Sequence, residues 1–392
     1  MKVSIINLTA GGMSGGYKKY LMELIPRIAN HESIEHIQCA TPASIPIIEW
    51  FRNDKLNNVT FINCKPYSPF YHDASLISKI EAFNPDVIYV PLGRMIKQIK
   101  VPSVIMIQNM FPLIHLPGIP LYLKARCNIE RIVTKRAVKR SDRIIAVSGF
   151  VKEFLIKNWN LHPDKIAVVY HGIDFSKMAC SKKPKKLSQI VELRGFLFTA
   201  GSIDPYRGLE DLLEAMCLLK SKGISYPLII AGDIKLSARR YFDKLNDIIK
   251  SLKIEDLVVW AGHLDWDEMI YCYRNCKAFV MTSRVEACPN IVLESMANGC
   301  VSISTESTPM PEFFQDSAVY YPPKDAKVLA ERILEVMSWP EEKRKEMSER
   351  AKKRASQFSW EICAQKTIEQ FQVAIEEFRR KKGHKGLKDE HR

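Results

Sequence analysis

The stretch Arg284-Val-Glu-Ala-Cys-Pro-Asn-Ile-Val-Leu-Glu294, which continues into Ser295-Met-Ala-Asn-Gly299, indicates the fold of this chain. The apolar run Ala278-Phe-Val-Met281 before it predicts a short buried strand. Pro289-Asn290 is a suitable helix start, and Gly299 is suited to end the helix in a left-handed conformation. The sequence therefore predicts a strand, a loop and a helix in succession.

The first turn of this helix is predicted to bind an anion. N–H groups near Asn290, Ile291 and Val292 are expected to have no acceptor within the helix, and with the helix dipole they favour a phosphate. Glu294 lies about one turn further on, with its side chain tilted back towards sugar hydroxyls beside that phosphate. Glu286 lies in the loop before the helix. The alternative is a solvated Glu286 and a helix-face Glu294.

Glu286-x7-Glu294, with Pro-Asn between the glutamates and Ala-Asn-Gly after them, resembles the donor-binding signature of a known family. The family is the GT-B glycosyltransferases of family 4, also called glycosyl transferases group 1. These enzymes use nucleotide-activated sugars and retain the anomeric configuration. The resemblance implies an α/β protein with the GT-B fold, in which two Rossmann-like, doubly wound parallel-sheet domains face each other across a cleft.

Composition is that of a soluble globular chain with room for two or three domains. The chain has 392 residues, of which 46% are hydrophobic and 26% are charged. No apolar stretch reaches membrane-spanning length, and the apolar run at residues 3–8 is too short for a signal peptide. The ten cysteines are scattered without a Cys-x2-Cys pair, which fits a reduced compartment. We therefore expect a cytoplasmic protein, and its net charge of +14 predicts attraction to polyanions or anionic lipid.

The first half alternates strand and helix patterns, which predicts a parallel sheet covered on both faces. A strand at residues 2–8 is followed by a glycine-rich turn at 9–16 and a helix at 17–30. The turn matches neither the dinucleotide nor the P-loop glycine pattern. Gly15-Gly16 match a Gly-Gly pair that, in the family resembled, lines the cleft between domains. The alternative is a tight strand-to-helix turn.

Three further residues of the first half are predicted to lie on the acceptor side. Asn109 and Ser148 each follow a predicted strand, and ligands of parallel sheets bind at the carboxyl ends of strands. For both, turn or cap hydrogen bonding is the alternative. His171 lies in Val168-Val-Tyr-His-Gly-Ile-Asp174, which resembles the family's segment at the domain junction, where Asn is usual in place of His.

Residues 121–143 are predicted to form a basic helix with an apolar stripe. Such a helix binds anionic lipid, and each basic side chain near a charged leaflet contributes roughly 1 kcal/mol. A solvated helix face is the alternative. Nucleic acid is not expected, because Tyr122 is the only aromatic residue in the segment. The basic residues are Lys124, Arg126, Arg131, Lys135, Arg136, Lys139, Arg140 and Arg143.

The second half begins the alternating pattern again. Gly201-Ser-Ile-Asp-Pro-Tyr-Arg-Gly208 resembles the family's pyrophosphate turn, with Arg207 as the matching cation and Ser202 where many members have a second arginine. His263-Leu264 match a family loop near the nucleotide base. Asp265-Trp-Asp267 spells a metal-nucleotide motif, but Asp265 with Glu268 is the pattern of a helix N-cap, so we expect no metal.

The predicted domains are an acceptor-side domain at residues 1–180 and a nucleotide-sugar donor domain at 187–358. The resemblance adds a helix at 359–380 that crosses back to the first domain, and residues 381–392 are predicted to form a basic tail. The linker composition at residues 182–186 sets the boundary between the two domains.

The resemblance implies a retaining, metal-independent hexosyltransferase that moves a sugar from a nucleotide diphosphate sugar to a glycan. We expect a lipid-linked or growing polysaccharide acceptor of the envelope, capsule or O-antigen type, peripheral association with the cytoplasmic membrane face, and no cofactor. Glu286 and Arg207 are the expected catalytic residues. Donor contacts are expected from Glu294, Asn290, Ile291, Val292, Pro289, Cys288, Ser202, Gly201, His263 and Leu264.

Three other functions remain open at this stage. A GT-B nucleotide-sugar epimerase has the same architecture and differs in its product. A non-catalytic nucleotide-sugar or lipid-binding protein would keep Arg207 but tolerate the loss of the Glu286 carboxylate. A nicotinamide oxidoreductase fits the alternating pattern but not the glycine pattern.

Overall fold

The computed structural model of the protein describes residues 1–9, 15–52, 54–68, 73–96, 99–115, 121–185, 187, 195–234 and 238–389. The chain forms two compact units. The first contains the described residues up to Gly172 together with the segment that begins at Trp360, and the second contains Ile173–Ser359. The first unit's N-terminal part therefore ends at Gly172, before the boundary at residues 182–186 that linker composition indicated.

The first unit contains a seven-stranded, fully parallel sheet. Its strands are β1 Lys2–Ile6, β2 His36–Pro42, β3 Val59–Cys64, β4 Val87–Val90, β5 Ser103–Ile107, β6 Arg143–Ala146 and β7 Ile166–Val168. Their order across the sheet is β3-β2-β1-β4-β5-β6-β7. Strands β4, β5 and β6 are almost continuously apolar and buried, as expected for a sheet with helices on both faces.

The helices of the first unit include one that is longer than the sequence pattern indicated. The last helix continues through Asp389 and so includes residues 381–389 of the segment predicted to be a basic tail. Residues 390–392 of that predicted tail lie outside the described residues. The helices are α1 Gly15–Ala29, α2 Ile47–Trp50, α3 Ala74–Phe83, α4 Leu121–Arg140, α5 Gly149–Trp159 and, from the second half of the chain, α13 Trp360–Asp389.

Arg143 is not part of the basic helix predicted at residues 121–143. The helix ends at Arg140, and Ser141-Asp142 separate it from β6, which begins at Arg143. The Arg143 side chain is buried and donates to Gln370 Oε1 (Nη2–Oε1 2.8 Å). It therefore connects β6 to α13 and is not part of a basic surface.

The second unit repeats the architecture with six parallel strands. They are β8 Leu197–Ala200, β9 Leu228–Ala231, β10 Val258–Gly262, β11 Ala278–Met281, β12 Ser302–Thr305 and β13 Ala318–Tyr321, in the order β10-β9-β8-β11-β12-β13. The chain order reverses between β8 and β11, which are neighbours in the sheet. Such a switch point leaves a crevice at the carboxyl ends of the strands.

The helices of the second unit pack apolar faces against this sheet. Leu212, Leu213 and Met216 of the first of them are fully buried. The helices are α6 Leu209–Ser221, α7 Arg239–Ser251, α8 Trp266–Asn275, α9 Asn290–Ala297, α10 Met310–Phe314, α11 Ala326–Met337 and α12 Glu341–Ala355. None of the helices in the described part of the chain is both long and apolar enough to cross a lipid bilayer.

Candidate functional site

The switch point of the second sheet contains a concavity that opens to solvent. The ends of β8, β9 and β11 line it, together with Arg207. The sequence stretches 201–208 and 284–294 both begin at this edge, one after β8 and the other after β11. The fold therefore brings together two segments that lie about 80 residues apart in the chain.

Arg207 reaches the concavity because of the backbone on either side of it. It ends the 3₁₀ helix Pro205–Arg207, and Gly208 follows in the left-handed region with φ 61°. Gly201 has φ 123°, and a Cβ atom there would lie 2.6 Å from Arg207 Cζ. The guanidinium thus lies directly against the Gly201 backbone, which only glycine permits in this geometry.

Arg207, Glu286 and Ser283 form a connected polar cluster. Arg207 Nη1 lies 2.7 Å from Glu286 Oε1, and each side chain is 14% exposed. Ser283 Oγ donates to Glu286 Oε1 (3.1 Å) and accepts from Arg207 Nη1 (3.3 Å). The buried Nε–H of Arg207 has no acceptor among the described residues. The cluster therefore places a cation and a carboxylate together at the mouth of the crevice.

Both ionisable groups beside Glu286 keep their protons. Burial by itself lowers the pKa of the Arg207 guanidinium, but Glu286, Tyr206 and Asp204 outweigh it, so the pKa is raised above its ordinary value. Burial raises the pKa of the Tyr206 hydroxyl. The charge of Arg207 lowers this pKa, whereas the charge of Glu286 raises it further. Arg207 is therefore a permanent cation, and the Tyr206 hydroxyl remains a hydrogen-bond donor.

A buried ion pair that the sequence analysis missed supports this cluster. Arg284 donates through both Nη atoms to the two carboxylate oxygens of Asp211 in α6. Asp211 also accepts from Tyr321 OH (3.3 Å) and from the Lys324 N–H (2.9 Å). No sequence signal indicated this pair, because Asp211 carries no motif and its partners come from distant elements.

Backbone contacts join the two segments as well. The Arg284 N–H donates to the Tyr206 carbonyl (2.7 Å), and Thr282 Oγ1 donates to the Arg207 carbonyl (2.6 Å). A Cβ atom on Gly208 would lie 2.7 Å from the Thr282 carbonyl oxygen. The 205–208 turn and the 282–286 loop are therefore fixed to each other.

Glu294 is a nearly buried carboxylate on α9, 7% exposed. Its Oε2 accepts from Tyr273 OH of α8 (3.1 Å). Burial is the largest cause that raises the pKa of the Tyr273 hydroxyl, followed by Glu294 itself, so the phenol remains a donor. Tyr273 is thus a second residue that sequence reasoning did not identify, and it fixes the orientation of the Glu294 carboxylate.

Some backbone N–H groups in the first turn of α9 already donate hydrogen bonds to an acceptor within the protein. The N–H groups of Val292 and Leu293 donate to the Pro289 carbonyl (3.0 and 3.4 Å). The expectation that the Val292 N–H has no acceptor was therefore wrong, because the helix begins with a tight turn on Pro289. Asn290 and Ile291 precede it in the same turn, and Cys288 is half-buried in the loop before them. Gly299 ends the helix with φ 71°, as its sequence position predicted.

Of the other residues predicted to contact the donor, Gly201 and Ser202 line the concavity. Ser202 Oγ lies 3.1 Å from Tyr206 OH. His263 follows β10, is 74% exposed, and its Nδ1 lies 3.4 Å from Asp233 Oδ2, while the adjacent Leu264 is buried. Asp265 forms the predicted capping box with Glu268 at the start of α8. In the described part of the chain, no group of three or more His, Cys, Asp or Glu is arranged to hold a metal ion.

The predicted acceptor-side residues lie in the first unit and make local contacts. Gly15 and Gly16 are exposed and form the first turn of α1, so the helix begins before the predicted residue 17. Residues 10–14 of the predicted glycine-rich turn lie outside the described residues. Asn109 Oδ1 accepts from the Phe111 N–H (3.1 Å) in a turn.

Ser148 and His171 are buried in the first unit. Ser148 is the N-cap of α5, and its Oγ accepts from the Val151 N–H (3.3 Å). The His171 ring packs between aromatic rings, with centroid distances of 5.0 Å to Tyr20 and 5.6 Å to Trp360. The described contacts of both residues are thus those of a cap and of core packing.

Models of two known protein families match this chain, one in its first half and one in its second half. The model of the family described as Glycosyltransferase Family 4 matches residues 15–177, and that described as Glycosyl transferases group 1 matches residues 182–354. The chain belongs to the group 1 glycosyltransferases. Its two parallel-sheet units are those of the GT-B fold.

Curated members of this glycosyltransferase family match about half of the chain or somewhat more. O-antigen chain mannosyltransferase B of Escherichia coli is 25% identical over 245 residues, which cover 59% of this chain and 60% of that protein. A Campylobacter jejuni enzyme named N-acetylgalactosamine-N,N'-diacetylbacillosaminyl-diphospho-undecaprenol 4-alpha-N-acetylgalactosaminyltransferase is 26% identical over 189 residues, 47% of this chain and 48% of that one. The chain thus spans less than two thirds of the length of either relative.

Solved structures share the fold over nearly the whole chain. Anabaena HepE in complex with UDP superposes with a TM-score of 0.72 at 16% identity and covers 95% of this chain and 100% of that one. A glycosyltransferase from Rickettsia africae gives a TM-score of 0.71 at 18% identity, with 95% and 99% of the chains covered. At these identities the likeness concerns the GT-B fold alone.

Proposed function

We propose that this chain transfers a sugar from a nucleotide diphosphate sugar to a lipid-linked or growing polysaccharide acceptor, with retention of anomeric configuration. The observation that carries the proposal is the Arg207–Glu286–Ser283 cluster at the switch point of the second sheet, with Arg207 Nη1 2.7 Å from Glu286 Oε1. Membership of the group 1 glycosyltransferases supports it. The names of the relatives, an O-antigen mannosyltransferase and a diphospho-undecaprenol glycosyltransferase, support the choice of acceptor.

Arg207 binds the diphosphate of the donor in this proposal. Its guanidinium has several N–H donors, so it contacts phosphate oxygens while it still holds Glu286. The buried Nε–H that lacks an acceptor in the described structure supports this role, because an unsatisfied buried donor costs free energy that a phosphate oxygen recovers. The N–H groups of Asn290 and Ile291 at the beginning of α9 add the favourable end of the helix dipole.

The two carboxylates bind different parts of the donor. Glu294, held by Tyr273, accepts hydrogen bonds from ribose hydroxyls. Glu286 lies next to Arg207 and therefore beside the bond that breaks, where it binds hydroxyls of the transferred sugar. Because the carboxylate of Glu286 accepts from Arg207 and Ser283, its position is fixed before the donor arrives.

Charge development explains why a fixed cation serves this reaction. As the bond between the sugar and the phosphate lengthens, negative charge grows on the diphosphate, and Arg207 stabilises that charge without reorganisation. The proposal requires no metal ion. The acceptor hydroxyl attacks on the face that the leaving group occupies, and the phosphate oxygen takes its proton, so the configuration is retained. A lipid-linked acceptor places the enzyme on the cytoplasmic face of a membrane.

Calorimetric titration with UDP, GDP and dTDP, without added metal, tests the donor site. We expect one nucleotide to bind, and we expect Glu294→Ala and Arg207→Met each to weaken its binding by roughly 10- to 100-fold, as for a lost charge-assisted contact. Arg239→Met is the matched control, because Arg239 is exposed and pairs only loosely with Asp243 (3.3 Å). Equal binding by all variants, or no binding of any nucleotide, would contradict the proposed donor site.

Product analysis separates the remaining functions. With the nucleotide identified, its sugars are incubated with membrane lipid extract, and the anomeric configuration of the product is determined by NMR. Glu286→Gln is expected to lower turnover by about 100-fold or more while nucleotide binding changes little. Conversion of the donor sugar without transfer would indicate an epimerase, and full function of Glu286→Gln would indicate a non-catalytic binding protein.

A further inference from the structure

Two cysteine thiols of the second unit converge on one backbone oxygen. Cys276 directly follows α8, and Cys300 follows the glycine that ends α9. Cys276 Sγ donates to the Tyr273 carbonyl (3.4 Å), and Cys300 Sγ donates to the same carbonyl (2.9 Å). Because both thiols lie within hydrogen-bond distance of the same atom, the two side chains point towards each other.

The backbone positions of the two cysteines suit a disulfide. Strands β11 and β12 pair in parallel, with Phe279 opposite Ser302. Two residues back along both chains, Lys277 is the neighbour of Cys300, so Cys276 lies diagonally beside Cys300. With about 4.8 Å between strands and about 3.3 Å per residue along them, the Cα atoms of a diagonal pair lie about 6 Å apart. Disulfides usually join Cα atoms that are about 4.4 to 6.8 Å apart.

Cys272 is a poorer partner for Cys276. The Cys276 N–H donates to the Cys272 carbonyl (3.0 Å), so the two residues are one helical turn apart. Cβ atoms at this spacing are about 5 to 6 Å apart, whereas a disulfide needs about 3.5 to 4.5 Å. Cys272 is also fully buried, and Cys276 is half-buried. Cys276 is therefore the thiol that an oxidant reaches, and Cys300 is the thiol that can bridge to it.

Cys300 is protected from direct reaction with an oxidant. It is 3% exposed, and burial is the largest cause that raises the pKa of its thiol. The neighbouring Cys276 raises that pKa further. Because the thiolate is the reactive form, Cys300 reacts slowly with an external oxidant and responds through Cys276.

Tyr273 connects this thiol pair to the donor site. Its carbonyl is among the last of α8, where the carbonyls lack an intrahelical donor, and the two thiols donate to it instead. The hydroxyl of the same residue donates to Glu294 Oε2 (3.1 Å) and orients the carboxylate that binds ribose in the proposed function. A change at the carbonyl therefore reaches Glu294 through a single residue.

We propose that Cys276 and Cys300 are a redox modification site whose oxidant is a low-molecular-weight disulfide such as glutathione disulfide. The Cys276 thiolate attacks one sulfur of the oxidant and releases one low-molecular-weight thiol. The Cys300 thiolate then attacks the Cys276 sulfur of this mixed disulfide and releases the second thiol. Two protein thiols are oxidised, one oxidant disulfide is reduced, and the two protein thiol protons pass to the released thiols.

The disulfide weakens nucleotide binding, a consequence that rests on the proposed donor site. Once the two sulfurs are bonded at about 2.05 Å, neither carries a proton, so the Tyr273 carbonyl loses both donors. The end of α8 then shifts, and the hydrogen bond from the Tyr273 hydroxyl to Glu294 is lost. We expect nucleotide affinity to fall about fivefold, as for the loss of one hydrogen bond, and to recover when the disulfide is reduced.

Mass spectrometry of the full-length protein tests the chemistry. The protein is incubated with glutathione disulfide, free thiols are alkylated, and tryptic peptides are analysed without reduction. We expect the peptide Asn275-Cys-Lys277 to be linked to the peptide 285–324. Because the second peptide also contains Cys288, fragmentation must place the link at Cys300. A glutathione adduct at Cys276 without a link, or a link to Cys288, would overturn the proposal.

Nucleotide titration of reduced, oxidised and re-reduced protein tests the effect on the donor site. Cys276→Ser and Cys300→Ser are expected to bind like the reduced protein and not to respond to the oxidant. A serine hydroxyl still donates to the Tyr273 carbonyl but forms no disulfide. Cys272→Ala is the matched control, because it keeps the bridging pair and is expected to lose affinity on oxidation like the unchanged protein. Circular dichroism melting verifies that each variant folds.

The two measurements together separate the possible results. An oxidised protein that contains the disulfide but binds nucleotide as tightly as the reduced protein would overturn the effect on the donor site. A loss of affinity that persists in Cys276→Ser would assign the effect to another thiol, such as Cys288, and would also overturn it. No nucleotide binding by the reduced protein would contradict the proposed function instead, and the mass spectra would still decide whether the disulfide forms.

Discussion

The carboxyl ends of the strands carry polar side chains in both sheets, but these side chains are used differently. In the second unit, Arg207 and Glu286 come from separate segments and pair with each other at 2.7 Å. In the first unit, Asn109 accepts from the Phe111 N–H and Ser148 accepts from the Val151 N–H. In both bonds the donor lies only two or three residues further along the chain. One edge of a sheet thus holds a long-range charged cluster, and the other holds turn and cap hydrogen bonds.

The difference shows where each edge gains its rigidity. Long-range contacts such as Arg284–Asp211 and the Arg284 N–H to Tyr206 bond hold the second-unit edge in one geometry. A site that stabilises developing charge requires such a fixed arrangement of donors. At the first-unit edge the described contacts stabilise individual turns. The following predictions test this contrast, beginning with the largest expected effect.

Arg284→Met is expected to destabilise the second unit by roughly 4 kcal/mol, because the Asp211 carboxylate remains buried without its cation. Urea unfolding followed by circular dichroism measures the change. Arg332→Met is the control, since Arg332 and its partner Glu335 are 44% and 38% exposed, and exposed pairs contribute about 0–1 kcal/mol. A similar loss of unfolding free energy in the two variants would mean that the Arg284–Asp211 ion pair does not stabilise this edge of the sheet.

Gly208→Ala is expected to cost roughly 3 kcal/mol of unfolding free energy. The new Cβ atom adopts φ 61° and meets the Thr282 carbonyl oxygen at 2.7 Å, so conformational strain and a backbone clash add. Gly223 has a similar φ of 76° but open space around it, so Gly223→Ala isolates the strain alone at about 1 kcal/mol. If thermal or urea unfolding shows that Gly208→Ala and Gly223→Ala lose the same unfolding free energy, the 205–208 turn and the 282–286 loop are not in close contact in solution.

Tyr273→Phe is expected to weaken nucleotide binding about fivefold, which corresponds to roughly 1 kcal/mol for one hydrogen bond that orients Glu294. Tyr241→Phe is the matched control, because Tyr241 is also buried and its hydroxyl also donates to a glutamate, Glu210 (2.7 Å). We expect calorimetry to show normal nucleotide affinity for the control. A loss of affinity in both variants would point to a general loss of packing.

Ser148→Ala is expected to cost about 1 kcal/mol of stability as a lost helix cap, and Asn109→Ala about half of that. Neither change is expected to alter nucleotide affinity. Steady-state kinetics with varied acceptor completes the comparison. A rise in the acceptor KM beyond what the stability loss explains would show that this edge binds acceptor as well, and the contrast between the two edges would disappear.

The alternation of strands and helices was readable from the sequence because it depends on local periodicity. Asp265 and Glu268 specify a capping box three residues apart, and the structure has it. Arg143 was assigned to the wrong element although Ser141-Asp142 before it are poor helix formers, because its charge suggested a surface position. Strand β13, Ala318–Tyr321, was not predicted.

The sequence by itself determined the alternation of strands and helices and singled out the two segments 201–208 and 284–294, whose resemblance to a known family implied the GT-B architecture. These features depend on neighbouring residues and on backbone geometry. Only the tertiary structure decided that Arg207 pairs with Glu286, that Asp211 holds Arg284, and that Tyr273 orients Glu294. Such contacts join elements that lie tens of residues apart, and no local pattern encodes which distant side chains the packing of a sheet brings together.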